Sequence, residues 1–339
     1  MLRTTLTGVA AATILISGSL AASAQEHTLR IQTLFAQENV SGRLVTQFVE
    51  DVETMSNGRI DIEMFYSSSV VKSVETFDAA ASGILDCDMT GAAYQTGKNP
   101  AFQFVGDIMG GYETPWQAYA WLFYGGGREK ADELYEPFGM HLVGWWVDAQ
   151  ESLASTKPLR GIEDIKDWKF RSPPGLETEI FAELGASPIV MDFTEVFTAL
   201  ETGIIDGADA SSLADNVGLG LYDIAEHATY PGFHSMPIDH LACRKDAWEA
   251  LPEDLQRIME VAMEKLAFQV ALAMEVENKK AAVELAERGV TLHDWSAEDR
   301  AAFREVAQKN WQLWAEKTPE ARTLVDSHVE FQKMLGLLQ

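Results

Sequence analysis

A ten-residue pattern that occurs twice in this chain limits the folds open to it. FDAAASGILD spans residues 77–86 and FTALETGIID spans residues 197–206, so both copies fit F-x-A-x-x-x-G-I-[I/L]-D. Each copy predicts a helix that ends at a glycine, which is free to adopt positive φ, followed by a strand. The repeat favours two similarly built α/β units, although helix–glycine–strand joints are common enough for the match to be coincidental.

The regions around both copies alternate between strand-like and helix-like patterns. Residues 28–35 and 60–66 alternate apolar and polar side chains as strands do, and residues 42–58 between them have an amphipathic helical pattern. A second unit repeats this order from residue 169 onward. Strands that alternate with helices are typical of an open α/β sheet, so the sequence predicts an α/β fold with two lobes.

The segment 252–289 is helical in pattern and has no internal glycine or proline. At ~1.5 Å per residue, one helix here would be more than about 50 Å long, which exceeds the needs of one lobe. A short strand and two more helices follow, and the last helix has an apolar stripe from Leu324 to Leu335. The stripe has two explanations, docking on its own lobe or contact with a second subunit.

Residues 1–24 have the features of a secretory signal peptide. Arg3 precedes an apolar core at 8–16 that is too short to span a bilayer, and Ala22-Ser23-Ala24 is a cleavage site. We expect the mature chain to begin near Gln25 without a lipid anchor. Because no later run of eighteen apolar residues occurs, the sequence predicts a soluble protein in the periplasm.

The net charge limits the classes of binding partner, and the two cysteines raise the question of a disulfide. A formal net charge of −26 argues against binding to nucleic acid or to an anionic membrane, although one local arginine can still dominate a closed pocket. Cys87 and Cys243 both lie in apolar, strand-like surroundings. Export permits a disulfide between them, but we expect buried free thiols.

The chain lacks the motifs of common catalytic sites. It contains no G-x-S-x-G, H-E-x-x-H, P-loop or strand-linked G-x-G-x-x-G motif. His234 and His240 have a loose metal-like spacing but no third ligand nearby in sequence, so we expect no metal site there. These observations favour a clamshell binding protein that holds a ligand between its lobes. The alternative is a secreted enzyme of unknown activity on the same two-lobed scaffold.

Residues 170–211, FRSPPGLETEIFAELGASPIVMDFTEVFTALETGIIDGADAS, resemble the signature region of the DctP-type solute receptors of tripartite ATP-independent periplasmic (TRAP) transporters. TGKNPAF (96–102), AWLFYGGG (120–127) and YPGF (230–233) look most like the branch that binds 2-oxo acids and related monocarboxylates. The resemblance extends over essentially the whole chain after the signal peptide.

The resemblance implies a receptor, not an enzyme, that captures a carboxylate and delivers it to a membrane permease without a cofactor. It also implies two lobes joined by crossing strands, with the long helix packed against both. On this basis, lobe I comprises 25–148 with about 236–255, and lobe II comprises 149–235. The spanning helix is 252–289 and the C-terminal region is 290–339. In the same branch a C-terminal helix can reach a second subunit, so we expect a homodimer.

Four candidate ligand-binding residues follow from the resemblance. Arg171 matches the arginine that anchors the carboxylate, and its planar guanidinium suits two parallel hydrogen bonds to that group. Gln150 matches a glutamine of the 2-oxo-acid branch, Tyr94 an aromatic residue that closes over the ligand, and Phe35 a residue of the cleft wall. The alternative for Arg171 is a surface arginine, that for Gln150 is an exposed polar residue, and that for Tyr94 is a core tyrosine.

The chain departs from the 2-oxo-acid branch at two places in the expected site. Ala210, next to Ser211, stands where the branch has a tryptophan, and Ser235 stands where the branch has an acidic residue that helps to hold a metal ion. A bridging calcium or sodium ion is therefore doubtful, because carboxylates are the strongest ligands for such ions. Asp209 or Asp239 would have to replace the missing acid.

The alanine at position 210 predicts a larger ligand. A tryptophan-sized space in a closed cleft must be filled by water, by a shifted side chain such as Phe233, or by the ligand itself. We favour an aromatic or longer-chain carboxylate over pyruvate. His234 and Ser235 would then form hydrogen bonds with the far end of that ligand.

Overall fold

The computed structural model describes residues 26–338, whose strands form two sheets. The signal-peptide prediction for residues 1–24 lies outside the described residues. In chain order the strands are β1 (His27–Thr33), β2 (Ile60–Phe65), β3 (Cys87–Met89), β4 (Met140–Val147), β5 (Ala154–Ser155), β6 (Lys169–Ser172), β7 (Ser187–Val190), β8 (Gly207–Ala208), β9 (His227–Thr229), β10 (Ile238–Arg244) and β11 (Thr291–His293). The helices are α1 (Val40–Met55), α2 (Thr76–Ala81), α3 (Phe102–Gly106), α4 (Pro115–Tyr124), α5 (Gly127–Tyr135), α6 (Leu176–Glu183), α7 (Val196–Glu201), α8 (Leu213–Gly218), α9 (Lys245–Glu249), α10 (Glu253–Glu287), α11 (Ala297–Ala315) and α12 (Pro319–Met334).

The two sheets have similar parallel cores. The first sheet has the order β2-β1-β3-β10-β4, and the second has the order β11-β9-β5-β8-β6-β7. β1 is parallel to both β2 and β3, and β6 is parallel to both β7 and β8. A helix lies between successive parallel strands in each sheet, as crossover connections require. The α/β prediction is confirmed.

The chain passes from one sheet to the other three times, between β4 and β5, between β9 and β10, and between β10 and β11 through α10. β10 returns to the first sheet and lies antiparallel between β3 and β4. Helix α10 contacts α1 and β4 on one side and α8 and β11 on the other. It is held to the second side by Asn278, whose Oδ1 accepts the Ala214 N–H at 2.8 Å. The predicted long helix is therefore present and packs against both lobes.

Each lobe has its own aromatic core. In the first lobe, Trp121, Trp145 and Trp146 are fully buried. In the second lobe, the rings of Trp168 and Phe170 stack with their centroids 4.3 Å apart. The cavity described below lies between these two cores, so its walls are backed by well-packed side chains.

A disulfide joins Cys87 on β3 to Cys243 on β10, and the expectation of free thiols is wrong. The two residues are direct partners in the antiparallel β3–β10 ladder, with their Cα atoms 3.9 Å apart. They are separated by 156 residues in sequence. Because β10 reaches β3 only after the chain has built the second lobe, local sequence could not show that the cysteines meet.

The C-terminal helices pack on the rest of the chain. Leu324, Val325 and Phe331 of the apolar stripe are buried against the protein's own helices, while Met334 is 70% exposed. Helix α12 contacts α3, α5 and α11, and α11 contacts α6 of the second lobe. Docking on its own chain therefore accounts for most of the stripe. None of the helices in residues 26–338 is long and apolar enough to cross a membrane.

Candidate ligand-binding cavity

A cavity lies between the lobes, where strand ends of both sheets meet. It holds ≈ 670 Å³ of empty space, part of it open to solvent. Phe35 follows β1, Arg171 lies on β6, and Asp209 follows β8, so parallel strands point their carboxyl ends at the cavity. Ligands of open α/β sheets bind at this edge, where strand order reverses and loops diverge. The fold therefore places this cavity at a position suited to binding.

Arg171 is the only lysine or arginine among the described residues that line the cavity. Its side chain is 2% exposed. Nη1 donates to the Asp209 main-chain oxygen at 2.7 Å, and Nε donates to that of Met191 at 3.3 Å. Burial acts to lower the pKa of Arg171, but Tyr94 and Asp209 raise it above its ordinary value, so the guanidinium stays charged.

Three aromatic rings form an apolar part of the wall. Phe35 and Phe193 meet edge to face with centroids 6.3 Å apart, and the Arg171 guanidinium lies 5.9 Å from the centroid of the Phe193 ring. Tyr94 lines the same space. Burial raises the pKa of Tyr94 to about 12, so its hydroxyl is a neutral hydrogen-bond donor. Such rings can pack on the carbon skeleton of a ligand.

Six acidic side chains also line the cavity, each of them buried: Asp107, Asp148, Glu151, Glu177, Asp209 and Asp239. Burial raises the pKa of both Asp107 and Asp239 to about 7. It raises the pKa values of Asp148, Glu151 and Glu177 well above their ordinary range. Asp209 differs, because His234 and Arg171 outweigh burial and lower its pKa. The cavity therefore contains far more acidic than basic groups.

Glu151, Asp209 and His234 form a group that could hold a cation. One potential ligand atom from each lies within 4.8 Å of the others, and all three residues are buried. His234 Nε2 is 3.2 Å from Asp209 Oδ1. His240 is not part of this group, since its Nε2 lies 2.9 Å from Asp88 Oδ2. The third ligand that His234 lacked in the nearby sequence thus comes from distant parts of the chain.

The structure brings six of the nine predicted site residues to the cavity wall: Phe35, Tyr94, Arg171, Ala210, Ser211 and Ser235. Ser211 donates to Asp148 at 3.3 Å, and Ser235 donates to Asp107 at 2.7 Å. Their hydroxyl protons are thus already used, which leaves lone pairs for a ligand donor.

Gln150, Phe233 and His234 lie outside the cavity wall. Gln150 Nε2 donates to the Tyr112 carbonyl at 2.9 Å, and Phe233 packs on Trp295 with centroids 4.5 Å apart. His234 is buried behind Asp209. In each crossing segment the neighbouring residue, Glu151 or Ser235, faces the cavity instead. Phe233 therefore does not fill the space opposite Ala210.

Hydrogen bonds join the lobes across the mouth of the cavity. The Ser73 N–H donates to Asp192 Oδ2 at 2.8 Å, and the Leu176 N–H donates to Gln103 Oε1 at 2.9 Å. Lys72 and Glu195 form an ion pair at 2.9 Å. These contacts connect residues of the first lobe with residues of the second, so the structure represents a closed arrangement.

Comparison with known proteins identifies the family. Residues 32–318 match the model of DctP, the bacterial extracellular solute-binding proteins of family 7. The chain belongs to this family. It is 27% identical to a monocarboxylate 2-oxoacid-binding periplasmic protein of Nostoc sp., over 84% of this chain and 78% of that protein. It is 26% identical to the C4-dicarboxylate-binding periplasmic protein DctP of Rhodobacter capsulatus, over 88% and 89% of the two chains.

Solved structures agree with this assignment. A TRAP periplasmic solute-binding protein of Rhodobacter sphaeroides, in an apo open form, is 34% identical with a TM-score of 0.72, over 92% of this chain and 99% of that one. A TRAP protein of Pseudoalteromonas atlantica with bound sodium and pyruvate is 25% identical with a TM-score of 0.81, over 92% and 95%. The better superposition on the ligand-bound structure, despite its lower identity, agrees with the contacts across the cavity mouth.

The family membership confirms several predictions. The protein is a periplasmic TRAP solute-binding receptor that works with a membrane permease, and it is not an enzyme. Receptors of this family bind small carboxylates, which agrees with an arginine in the cavity.

Proposed function

We propose that this receptor captures an organic monocarboxylate between its lobes and that Arg171 binds the carboxylate. The observation that carries the proposal is a buried, charged guanidinium on the cavity wall that donates hydrogen bonds to two main-chain carbonyls. Neutral carbonyls orient the side chain without an ion pair of their own. A ligand carboxylate would supply the short-range negative charge and accept charge-assisted hydrogen bonds.

We further propose that the two lobes, 25–148 with about 236–255 and 149–235, close on the ligand about the crossing segments. Closure would desolvate the bound carboxylate and strengthen its interaction with Arg171. The cross-lobe hydrogen bonds of Ser73 and Leu176 support this step, because they need both lobes in their present positions.

The volume opposite Ala210 favours a ligand larger than pyruvate. Ala210 lines the cavity, and Phe233 packs elsewhere, so neither side chain occupies the space that a tryptophan would take. We propose an aromatic or longer-chain acid. Affinities for pyruvate, a hydroxybenzoate and a six-carbon 2-oxo acid, each measured in EDTA and in calcium, test this choice. Tight, calcium-dependent pyruvate binding would contradict it.

Arg171→Ala tests the anchor by titration calorimetry with the tightest ligand of that panel. We expect a loss of about 2–5 kcal/mol of binding free energy, because a desolvated charge partner is removed. Arg171→Lys should restore only part of the loss, since an ammonium lacks the planar fork. Arg160→Ala is a matched control, because Arg160 is an exposed arginine paired with Asp164. Near-native affinity in a folded Arg171→Ala protein would remove Arg171 from the site.

The homodimer stays a prediction that the comparisons do not support. One TRAP protein of Bordetella bronchiseptica is described as a mixed-occupancy dimer, which says nothing of this chain. The exposed Met334 and Leu335 at the end of α12 are the part of the stripe left for a second subunit. Light scattering at high concentration would show a dimer mass if the prediction holds and a monomer mass if it fails.

A further inference from the structure

Asp239 is a buried carboxyl group on the cavity wall without a hydrogen-bond partner among the described residues. It lies on β10 of the first lobe and is 4% exposed. Its main chain pairs with Trp146 of β4 and forms a bridge with Gly91. The side chain lines the cavity, and its pKa is raised by burial and by Asp88 and Asp215, with no opposing hydrogen bond. An unpartnered buried carboxyl group is costly and therefore points to a missing partner.

Asp148 lies on the same side of the cavity and adds a second buried carboxyl group there. Its Oδ1 accepts the Ala149 N–H at 3.0 Å, and its Oδ2 accepts the Ser211 hydroxyl at 3.3 Å. Burial raises the pKa of Asp148, and repulsion from Asp215 and from Asp239 adds to this shift. No lysine or arginine of the described cavity wall faces these two acids, because Arg171 is held by the Asp209 and Met191 carbonyls.

A buried arginine of the second lobe and an unpartnered acid of the first lobe thus line one cavity. Arg171 comes from β6 of the second lobe, and Asp239 comes from β10 of the first. Tyr94 lines the same cavity and interacts electrostatically with both. A simple carboxylate would pair with Arg171 but bring no positive charge to Asp239 and Asp148, so these groups would have to be protonated or stay buried as unpaired charges.

We propose that the natural ligand is a zwitterion whose carboxylate binds Arg171 and whose cationic nitrogen lies against Asp239 and Asp148. This inference rests on the proposed function and narrows its substrate class to amino acids or betaines. A protonated amine would donate hydrogen bonds to Asp239, whereas a quaternary ammonium would make ion-pair and cation–π contacts with Asp239 and the Tyr94 ring. Either nitrogen would supply the positive counter-charge that Asp239 and Asp148 lack.

A metal ion is the competing source of positive charge. The group Glu151, Asp209 and His234 could hold one, but Asp239 is not part of that group. A metal there would neutralise the acids around Asp209 and leave Asp239 without its partner. The two sources therefore predict different behaviour in EDTA.

Calorimetric titration with matched ligand pairs tests the proposal. The pairs are 4-aminobutanoate with pentanoate, and trimethylammonioacetate with 3,3-dimethylbutanoate, which share shape but differ in the cationic nitrogen. In EDTA we expect one zwitterion to bind at least about tenfold more tightly than its counterpart without the cationic nitrogen. The pair that shows the larger ratio distinguishes a protonated amine from a quaternary nitrogen.

Variants test whether the ratio of the two affinities in a ligand pair depends on Asp239. Asp239→Asn keeps the side-chain shape and should reduce the ratio to near one, while Asp148→Asn should reduce it in part and serves if Asp239→Asn does not fold. Asp326→Asn, an exposed acid on α12, should leave the ratio unchanged.

Each other outcome has a defined meaning. If the acids without a cationic nitrogen bind as tightly as the zwitterions, the inference fails and the carboxylate receptor stands. If the acids without a cationic nitrogen bind only when calcium is present, a metal fills the site and the inference fails in the same way. If none of the four compounds binds, while a broader carboxylate panel shows Arg171-dependent binding, the zwitterion is rejected. If no carboxylate binds at all, the proposed function fails with it.

Discussion

Residues 77–86 and 197–206 make the same backbone hydrogen bonds in two different lobes. In each copy, the N–H of the first isoleucine donates at 2.9 Å to the carbonyl five residues before it. That isoleucine, Ile84 or Ile204, is 54% exposed in both copies, and the next residue is 1% exposed in both. The local pattern therefore produces the same helix ending, the same turn and the same inward-facing residue twice.

The aspartate that ends each copy also makes equivalent contacts. Asp86 donates its N–H to the Arg30 carbonyl at 2.8 Å and accepts the Arg30 N–H at 2.9 Å. Asp206 donates its N–H to the Lys169 carbonyl at 2.6 Å and accepts the Lys169 N–H at 3.3 Å. In both lobes the partner lies in or next to the neighbouring parallel strand, so the aspartate fixes the start of the following strand.

The surroundings of the two copies differ after this point. Asp86 is followed by Cys87, whose disulfide ties β3 to β10. Asp206 is followed by Gly207, where a Cβ atom would lie 2.4 Å from the Ala154 oxygen and 2.5 Å from the Trp168 ring. One lobe thus has a covalent link where the other has close packing that excludes any side chain. Local sequence determines the helix–glycine–strand joint, and the neighbouring strands determine whether a disulfide or close packing stabilises it.

Of the changes that test this comparison, removal of the disulfide should have the largest effect on the free energy of unfolding. We expect Cys87→Ala with Cys243→Ala to lower the free energy of unfolding by about 2–4 kcal/mol, because the link closes a long loop in the unfolded chain. Denaturant unfolding with and without reductant measures the change. Reductant should destabilise the wild-type protein by a similar amount and leave the double variant unaffected.

Thiol titration tests directly whether Cys87 and Cys243 are joined, and it can contradict the disulfide. The denatured, unreduced wild-type protein should show no reactive thiol, and reduction should release two. Two thiols before reduction would mean that the cysteines are free, and the two lobes would then both depend on packing alone.

Local patterns predicted the elements of this fold well but not the residues that meet across it. The repeated joints and α10 follow from periodicity and from glycine positions, which act within one turn or one strand. The Cys87–Cys243 pair depends on the return of β10, which no local pattern encodes. Arg171 was predicted through its resemblance to a family motif.

The acidic wall of the cavity was missed for a different reason. Among 52 acidic residues, sequence alone cannot show which are buried, and Glu177 and Asp107 come to one cavity from different lobes. The position of Gln150 depends on the direction of its side chain. Successive side chains of an extended segment point to opposite sides, so the cavity receives Glu151 while Gln150 turns toward Tyr112. Apolar sequence around an acid, as in MPIDHLAC at Asp239, was the signal available.

The smallest expected effect tests whether the two joints are energetically alike. Gly83 has φ +84° and Gly203 has φ +69°, and an added Cβ would meet nothing closer than 3.7 Å at either position. Alanine should therefore cost about 1 kcal/mol at each, from left-handed backbone strain less the entropy that alanine removes from the unfolded chain. Gly97→Ala is the matched control, because that site has open space and no positive φ, so it should be neutral or slightly stabilising. Denaturant unfolding of the three variants would contradict the equivalence if Gly83→Ala and Gly203→Ala differed by more than about 1 kcal/mol, since strain from the same φ region should cost the same in both lobes.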